Sequence, residues 1–386
     1  MNTVELLVAA LHTQADPAAW FAQAEAARAD WDDLAVTALA LGLAPLLHAR
    51  LEGWGRPLPH APAQAKLGFA RQMELARHTA RAAQLAEALA ALPVAPIVLK
   101  GAYLAECVYP APGLRPMNDI DLLFPPEALP AIGAALAALG YGGKEKSADL
   151  GPGITKHTST FKRAEGSPAP GRAATPNPYL SARGGHMLEP HRSLEESWFG
   201  LRCDLTPGMW DRSVPITLAG RAARALDPAD ALLHLAVHLT FHLIQGSPSF
   251  VQLADLSVFA QRVAVPWDEL LARARALRAS GFAYAGLRLS HRVLGAPIPS
   301  DVLAALAAAS PAGVRRAAEA LSLTQVMHRT QQAPLRTLRQ RLQRGVADRA
   351  ETARWAHSPA EAARIWWTLL DVTRTDTFRL ATGAKS

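Results

Sequence analysis

Residues 97–124, IVLKGAYLAECVYPAPGLRPMNDIDLLF, are the stretch whose reading decides the fold. The apolar run Val94 to Leu99 reads as a buried strand that ends at Lys100-Gly101. Gly101 to Tyr109 reads as a short helix, stopped by Pro110 and Pro112. Ile120 to Phe124 then reads as a second buried strand, entered through Asn118-Asp119. Side chains alternate faces along a strand, so Asp119 and Asp121 project to the same side, about 7 Å apart. Two carboxylates that close repel each other at neutral pH. A divalent cation removes the repulsion, and hard oxygen ligands suit Mg²⁺, so the pair points toward phosphoryl chemistry.

Outward from this segment, residues 1–92 read as helices. Val4, Leu7, Val8 and Leu11 recur at helical spacing, and the Ala/Leu-rich runs 34–47 and 67–92 carry polar faces. Pro57, Pro59 and Pro62 break the segment between those runs, and Pro93 and Pro96 end the helical region. Downstream, Pro126 opens a helix that runs to Leu139, where Gly140-Tyr141-Gly142-Gly143 stops it. The Thr-rich alternation ITKHTSTFKR, 154–163, reads as a strand, and the Gly/Pro/Ser-rich stretch 166–185 as a long flexible connection. HMLEPH, 186–191, reads as a returning strand, with short extended pieces at 202–205 and 214–218. From Asp227, an N-cap with Pro228 at N1, the pattern is helical again: near 228–245, 250–263, 267–279, 282–294, 300–309 and 311–328, then through a basic tail, 335–379. The expected fold is α+β. A small mixed β-sheet core, 93–218, lies between an N-terminal helical region, 1–92, and a larger C-terminal helical region, 219–386.

The chain has 386 residues, enough for two or three domains' worth of core. It is 50% apolar and 19% charged, which describes a globular protein and excludes a disordered one. No uninterrupted apolar run reaches about 18 residues, so no membrane span is expected. The N-terminus reads as an amphipathic helix rather than a signal peptide. Two cysteines, Cys107 and Cys203, with no metal-type spacing, point to a reducing cytoplasm. The net charge of +7 is compatible with an anionic substrate such as a nucleotide, with nucleic acid, or with nothing specific.

Several motifs taken together carry a resemblance. They are LKG at 99–101, Arg115, Asp119-x-Asp121 followed by apolar residues, a helix ending in Gly140-Tyr141, and an apolar-Glu-x-His strand at 188–191. This order resembles the nucleotidyltransferases of the polymerase-β-like superfamily, and most nearly the branch called the uncharacterised nucleotidyltransferase family. LHLAVH at 233–238 and LADL at 253–256 resemble that family's helical second half. The resemblance implies a short mixed sheet with helices packed on it. It also implies transfer of a nucleoside monophosphate from an NTP, ATP among them, to an acceptor with release of pyrophosphate. On that pattern Asp119 and Asp121 hold Mg²⁺, with Mn²⁺ as the alternative ion. Glu189 is the third carboxylate, completing the metal site or taking the acceptor's proton. His191 orients a carboxylate or lines the nucleotide pocket. Lys100 and Gly101 stand where the superfamily has a Gly-rich turn, so Gly101 admits phosphate oxygens and Lys100 adds a charge. Arg115 contacts phosphates or neutralises the acids. Pro190 departs from the pattern. It cannot donate to a ladder, which reads as an edge strand or a strand end.

His234, His238 and His242 share one helical face at four-residue steps. Three readings stand: they line the nucleotide pocket, as assigned here to His238; they are packed structural histidines; or they bind a metal. Asp255 reads as one half of an ion pair, with a histidine of the preceding helix as a candidate partner. Arg329, Arg336, Arg339, Arg341, Arg344 and Arg349 read as a solvated face, with a nucleic-acid track as the less favoured alternative. Trp355, Trp366 and Trp367 read as packing for the C-terminal helices. The leading function is therefore a Mg²⁺-dependent nucleotidyltransferase with an unknown small-molecule, peptide or protein acceptor. The alternatives are an RNA- or tRNA-directed enzyme and a nucleotide-binding protein with a degenerate site.

Overall fold

A computed structural model describes residues 1–144, 160–164, 185–330 and 338–368. The N-terminal helices form as the Ala/Leu spacing predicts. They are α1 (Thr3–Leu11), α2 (Pro17–Ala26), α3 (Trp31–Ala40), α4 (Ala44–Gly53) and the 31-residue α5 (Ala61–Ala91). Asn2 and Glu5 close a reciprocal capping box at α1, while Asp16 and Asp30 cap α2 and α3. Pro62 falls in the first turn of α5, where its missing N–H leaves nothing unsatisfied.

The sheet begins with β1, Ile97–Val98, only two residues of the apolar run that reads as a strand. α6 (Lys100–Tyr103) follows and passes into a π-helical turn, Leu104–Val108. Next come β2 (Ile120–Leu123), α7 (Leu129–Ala138), β3 (Gly142–Lys144), β4 (Thr160–Ala164) and β5 (Gly185–His191). The strand expected at 154–163 is described only from Thr160, and the connection expected at 166–185 lies, but for Gly185, outside the described residues. A separate hairpin, β6 (Glu195–Trp198) and β7 (Leu201–Asp204), leads through the single turn α8 (Met209–Arg212) to β8 (Val214–Leu218) and β9 (Arg221–Ala225). The seven-stranded sheet runs β3-β4-β5-β2-β1-β9-β8. β2 is antiparallel to β1 and parallel to β5, so the sheet is mixed.

Pro190 does not mark an edge strand, because β5 lies between β4 and β2. The Phe124 N–H donates to the His191 carbonyl at 3.0 Å, so His191 turns its backbone polar groups toward β2. Backbone direction alternates, so the missing N–H of Pro190 faces the β4 side. Among the described residues the β4 pairing runs as far as Leu188.

The C-terminal half is helical: α9 (Pro228–Ile244), α10 (Phe250–Arg262), α11 (Trp267–Ala276), α12 (Ser280–Leu294), α13 (Ser300–Ala308), α14 (Ala312–Ala320), α15 (Leu323–Thr330), α16 (Leu338–Ala353) and α17 (Pro359–Trp367). The single helix expected over 311–328 is broken at Leu321-Ser322. α9 is buried along nearly its whole length and forms the axis of this half. α12 approaches it closely at Gly286, where a Cβ would fall 2.5 Å from the Ala236 carbonyl oxygen. Trp355 is fully buried as expected, but Trp366 and Trp367 are exposed.

Two apolar cores meet across β2. Ile120, Leu122 and Phe124 pack with Leu188, Ile132 and Leu136 on one face. Leu123 joins Ile97 and Leu99 in the larger core shared with the N- and C-terminal helices. Burying each such side chain stabilises the fold by about 1.5–3 kcal/mol. The alternation fixes Asp121 on the Leu123 face, which looks toward α9.

Candidate active site

β2 and β5 run in parallel with Asp121 opposite Glu189 and Leu123 opposite His191. This register places side by side two carboxylates that the sequence separates. Asp121, Glu189 and His191 are all buried, and one ligating atom from each lies within 4.8 Å of the others. His191 Nε2 donates to Asp121 Oδ1 at 2.6 Å, and the Thr160 hydroxyl donates to Glu189 Oε1 at 3.2 Å. Asp119 precedes β2, half-buried and outside that trio. Burial, and then the charges of Asp121 and Glu189, push its carboxyl up to about 7, against the opposing pull of Lys100 and Arg115.

Lys100 opens α6 with φ +39°, a left-handed conformation that a side-chain-bearing residue adopts only under constraint. Its Nζ reaches Asp121 Oδ1 at 3.2 Å. Burial works against its charge, but Asp121, Glu196 and Asp119 outweigh burial and hold the ammonium above its ordinary value. Burial holds His191 below the usual imidazole range in spite of its bond to Asp121, so the ring is neutral at pH 7.

Arg115 lies over Gly101. A Cβ built on that glycine would meet Arg115 Nη1 at 2.7 Å, so no side chain fits there unless the guanidinium moves. The guanidinium is gripped by Asp255 of α10, with Nε and Nη2 donating to its two carboxylate oxygens at 2.8 Å each. The Tyr109 hydroxyl adds a third bond to Asp255 at 2.8 Å. Asp255 is therefore an ion-pair residue as expected. Its partners are Arg115 and Tyr109, where a histidine of α9 was the candidate.

The helical histidines meet a carboxylate that the sequence reading missed. Glu196 of β6 is buried, and its Oε1 lies 2.8 Å from His238 Nδ1. One ligating atom each from Glu196, His234 and His238 lie within 4.8 Å of one another. The EES run of β6 alternates, turning Glu195 outward to Arg202 and Glu196 inward. Two adjacent glutamates in a short strand are a sequence signal for such a split.

In the arginine stretch, Arg344 pairs with Asp348 at 2.6 Å. Arg349 is buried, bonds to Thr368 and stacks 4.1 Å over Phe199. The side chains of Arg329, Arg336, Arg339 and Arg341 lie outside the described residues. No helix among the described residues is long and apolar enough to cross a membrane.

The sequence model of a protein family described as uncharacterised nucleotidyltransferase matches residues 27–295. The match contains every residue placed so far at the two clusters and the arginine clamp. Comparison with curated proteins and with solved structures gave no significant match.

Proposed function

This chain belongs to the uncharacterised nucleotidyltransferase family, and on that premise we propose that it transfers a nucleoside monophosphate from an NTP to a small-molecule, peptide or protein acceptor in a Mg²⁺-dependent reaction that releases pyrophosphate. The observation that carries this reading is the pairing of Asp121 with Glu189 on adjacent parallel strands, beside an Asp119 whose carboxyl is pushed up to about 7. Burial and two neighbouring carboxylates disfavour the charged form of Asp119, and a bound cation relieves that cost.

The donor set fits the ion. Asp119, Asp121 and Glu189 offer carboxylate oxygens, the hard ligands that Mg²⁺ or Mn²⁺ takes, and they would hold it. When bound, such an ion neutralises phosphate oxygens and withdraws charge from the phosphorus under attack. His191 keeps Asp121 oriented through its 2.6 Å bond. Lys100 and Arg115 supply positive charge for the triphosphate, and Gly101 leaves the backbone open to its oxygens. His238 borders the same space from α9 through Glu196, whose charge Lys100 also feels. As the acceptor oxygen bonds to the α-phosphorus, the bond to the pyrophosphate oxygen breaks. Glu189 either completes the ion's ligands or takes the proton the acceptor releases. A cytoplasmic setting suits the two unpaired cysteines, Cys107 and Cys203.

Of the arginine stretch, Arg344 and Arg349 among the described residues are engaged within the protein, which does not favour an RNA acceptor. The reading is tested by incubating the protein with each α-labelled NTP, Mg²⁺ or Mn²⁺, and a lysate of the source cell. Label on an acceptor, lost in Asp119→Ala/Asp121→Ala, supports it. NTP binding without transfer from any nucleotide supports a degenerate, nucleotide-binding protein instead.

A further inference from the structure

The second cluster has a different chemistry from the first. Its donors are two imidazoles and one carboxylate, where β2 and β5 offer mostly oxygen. His234 and His238 stand one helical turn apart on α9, a spacing that turns both rings to one side. Glu196 meets them from β6, and all three residues are buried. Imidazole nitrogen suits zinc and its neighbours, and two histidines with one glutamate is a known ligand set for zinc with one position left open.

We propose that Glu196, His234 and His238 form a transition-metal site for Zn²⁺ or a similar borderline cation, distinct from the carboxylate pair of β2 and β5.

Two observations support this site. The first is charge. Four carboxylates, Asp119, Asp121, Glu189 and Glu196, stand around two cations, Lys100 and Arg115, and Arg115 is also bonded to Asp255. A buried excess of negative charge is costly, and a cation held between Glu196 and the two histidines would reduce it. The second is geometry. Tetrahedral zinc holds its ligand atoms about 3.4 Å apart, given bonds of about 2.1 Å. The three ligating atoms lie within 4.8 Å of one another, so the side chains need draw in by about 1 Å or a little more to reach it. The His238–Glu196 contact at 2.8 Å holds a proton where the cation would bind, and metal binding releases it. A hydrogen-bonded pair alone needs no second imidazole within reach of both groups. His242 is not among the three residues whose ligating atoms lie within 4.8 Å of one another, and its Nδ1 donates to the Ser247 carbonyl at 3.1 Å.

The site is tested without reference to nucleotide turnover. The full chain, stripped with a chelator, is titrated with Zn²⁺ and its bound metal counted by mass spectrometry. One zinc per chain is expected. It should be retained by Asp119→Ala/Asp121→Ala, while His234→Ala weakens it by more than about a hundredfold. Wild-type protein that holds no more zinc than His234→Ala, or zinc that departs with the two aspartates, overturns the proposal. Should His234→Ala fail to fold, X-ray absorption of zinc-loaded wild type decides the matter. Two imidazoles with an oxygen support the site, and an all-oxygen shell or a sulfur ligand from Cys203 overturns it. Failure here leaves the nucleotidyl-transfer reading intact, because that reading is tested by label transfer.

Discussion

Lys100 and Asp121 are joined by a 3.2 Å ion pair whose side chains are only 12% and 7% exposed. The lysine is thus the cation already present at the acids. It enters with an unfavourable backbone conformation, φ +39°, which the surrounding packing must hold.

Replacing Lys100 by Met should therefore destabilise the metal-free protein by about 3 kcal/mol, because Asp121 stays buried without its ammonium. Mg²⁺ should recover much of that loss. Urea unfolding in EDTA and in Mg²⁺ measures both. An equal cost under the two conditions would show that the ion and the lysine do not serve the same charge.

Asp119→Ala combined with Asp121→Ala should lower Mg²⁺-dependent NTP turnover by on the order of a thousandfold or more, with the circular dichroism spectrum unchanged. Turnover retained in the folded double variant would remove these residues from the chemistry.

Asp119 gives a pH signature. Its folded carboxyl lies near 7, above its ordinary value of 3.8, so the folded state holds the proton more tightly than the unfolded chain. This contribution to stability is complete below about pH 4 and is lost as pH rises through 7. In EDTA, the melting temperature of wild type should fall over that window relative to Asp119→Asn, which has no proton to lose. Mg²⁺ affinity should rise over the same window, as the competing proton leaves. Parallel melting curves for the two proteins from pH 4 to 8 would contradict this.

The Arg115–Asp255 clamp predicts a graded series. Asp255→Asn removes the charge under a buried, bidentate guanidinium and should cost about 3 kcal/mol. Tyr109→Phe removes one hydrogen bond to the same carboxylate and should cost about 1 kcal/mol. Both should weaken NTP binding, measured by calorimetry, with Asp255→Asn the larger effect. NTP affinity unchanged in Asp255→Asn would make the clamp structural only.

Gly101→Ala tests the approach of Arg115. Its new methyl would fall 2.7 Å from Arg115 Nη1, so the guanidinium must move. NTP affinity should fall about tenfold or more for a displaced phosphate contact, and part of the stability held in the Arg115–Asp255 clamp should be lost with it. An unchanged affinity would show that the guanidinium position is immaterial to the nucleotide.

Much of this was legible from local patterns. The apolar residues around Asp121 marked a buried strand, and Asp227-Pro228 marked the start of α9. The Leu-His-Leu-Ala-Val-His run placed His234 and His238 on one face. The less legible parts depended on partners remote in sequence. Glu196 was not singled out by the sequence, because only the hairpin brings it under α9. Asp255 needed a cation, but nothing local to α10 named Arg115. Pro190 suggested an edge because its own missing donor was visible and the strands on either side of it, β4 and β2, were not.

The sequence by itself determined the elements and which residues share a face within each, because helix and strand periods and turn chemistry act over a few residues. It therefore determined that Asp119 and Asp121 come as a pair and that the histidines of α9 come as a row. Only the tertiary structure decided what stands opposite them. The parallel register brought Glu189 to Asp121, a bond between residues 140 positions apart brought Arg115 to Asp255, and the β6–β7 hairpin carried Glu196 to His238. Such neighbours are selected by the packing of whole faces and by the need of each buried charge for a partner, and neither requirement is written in a local window of residues.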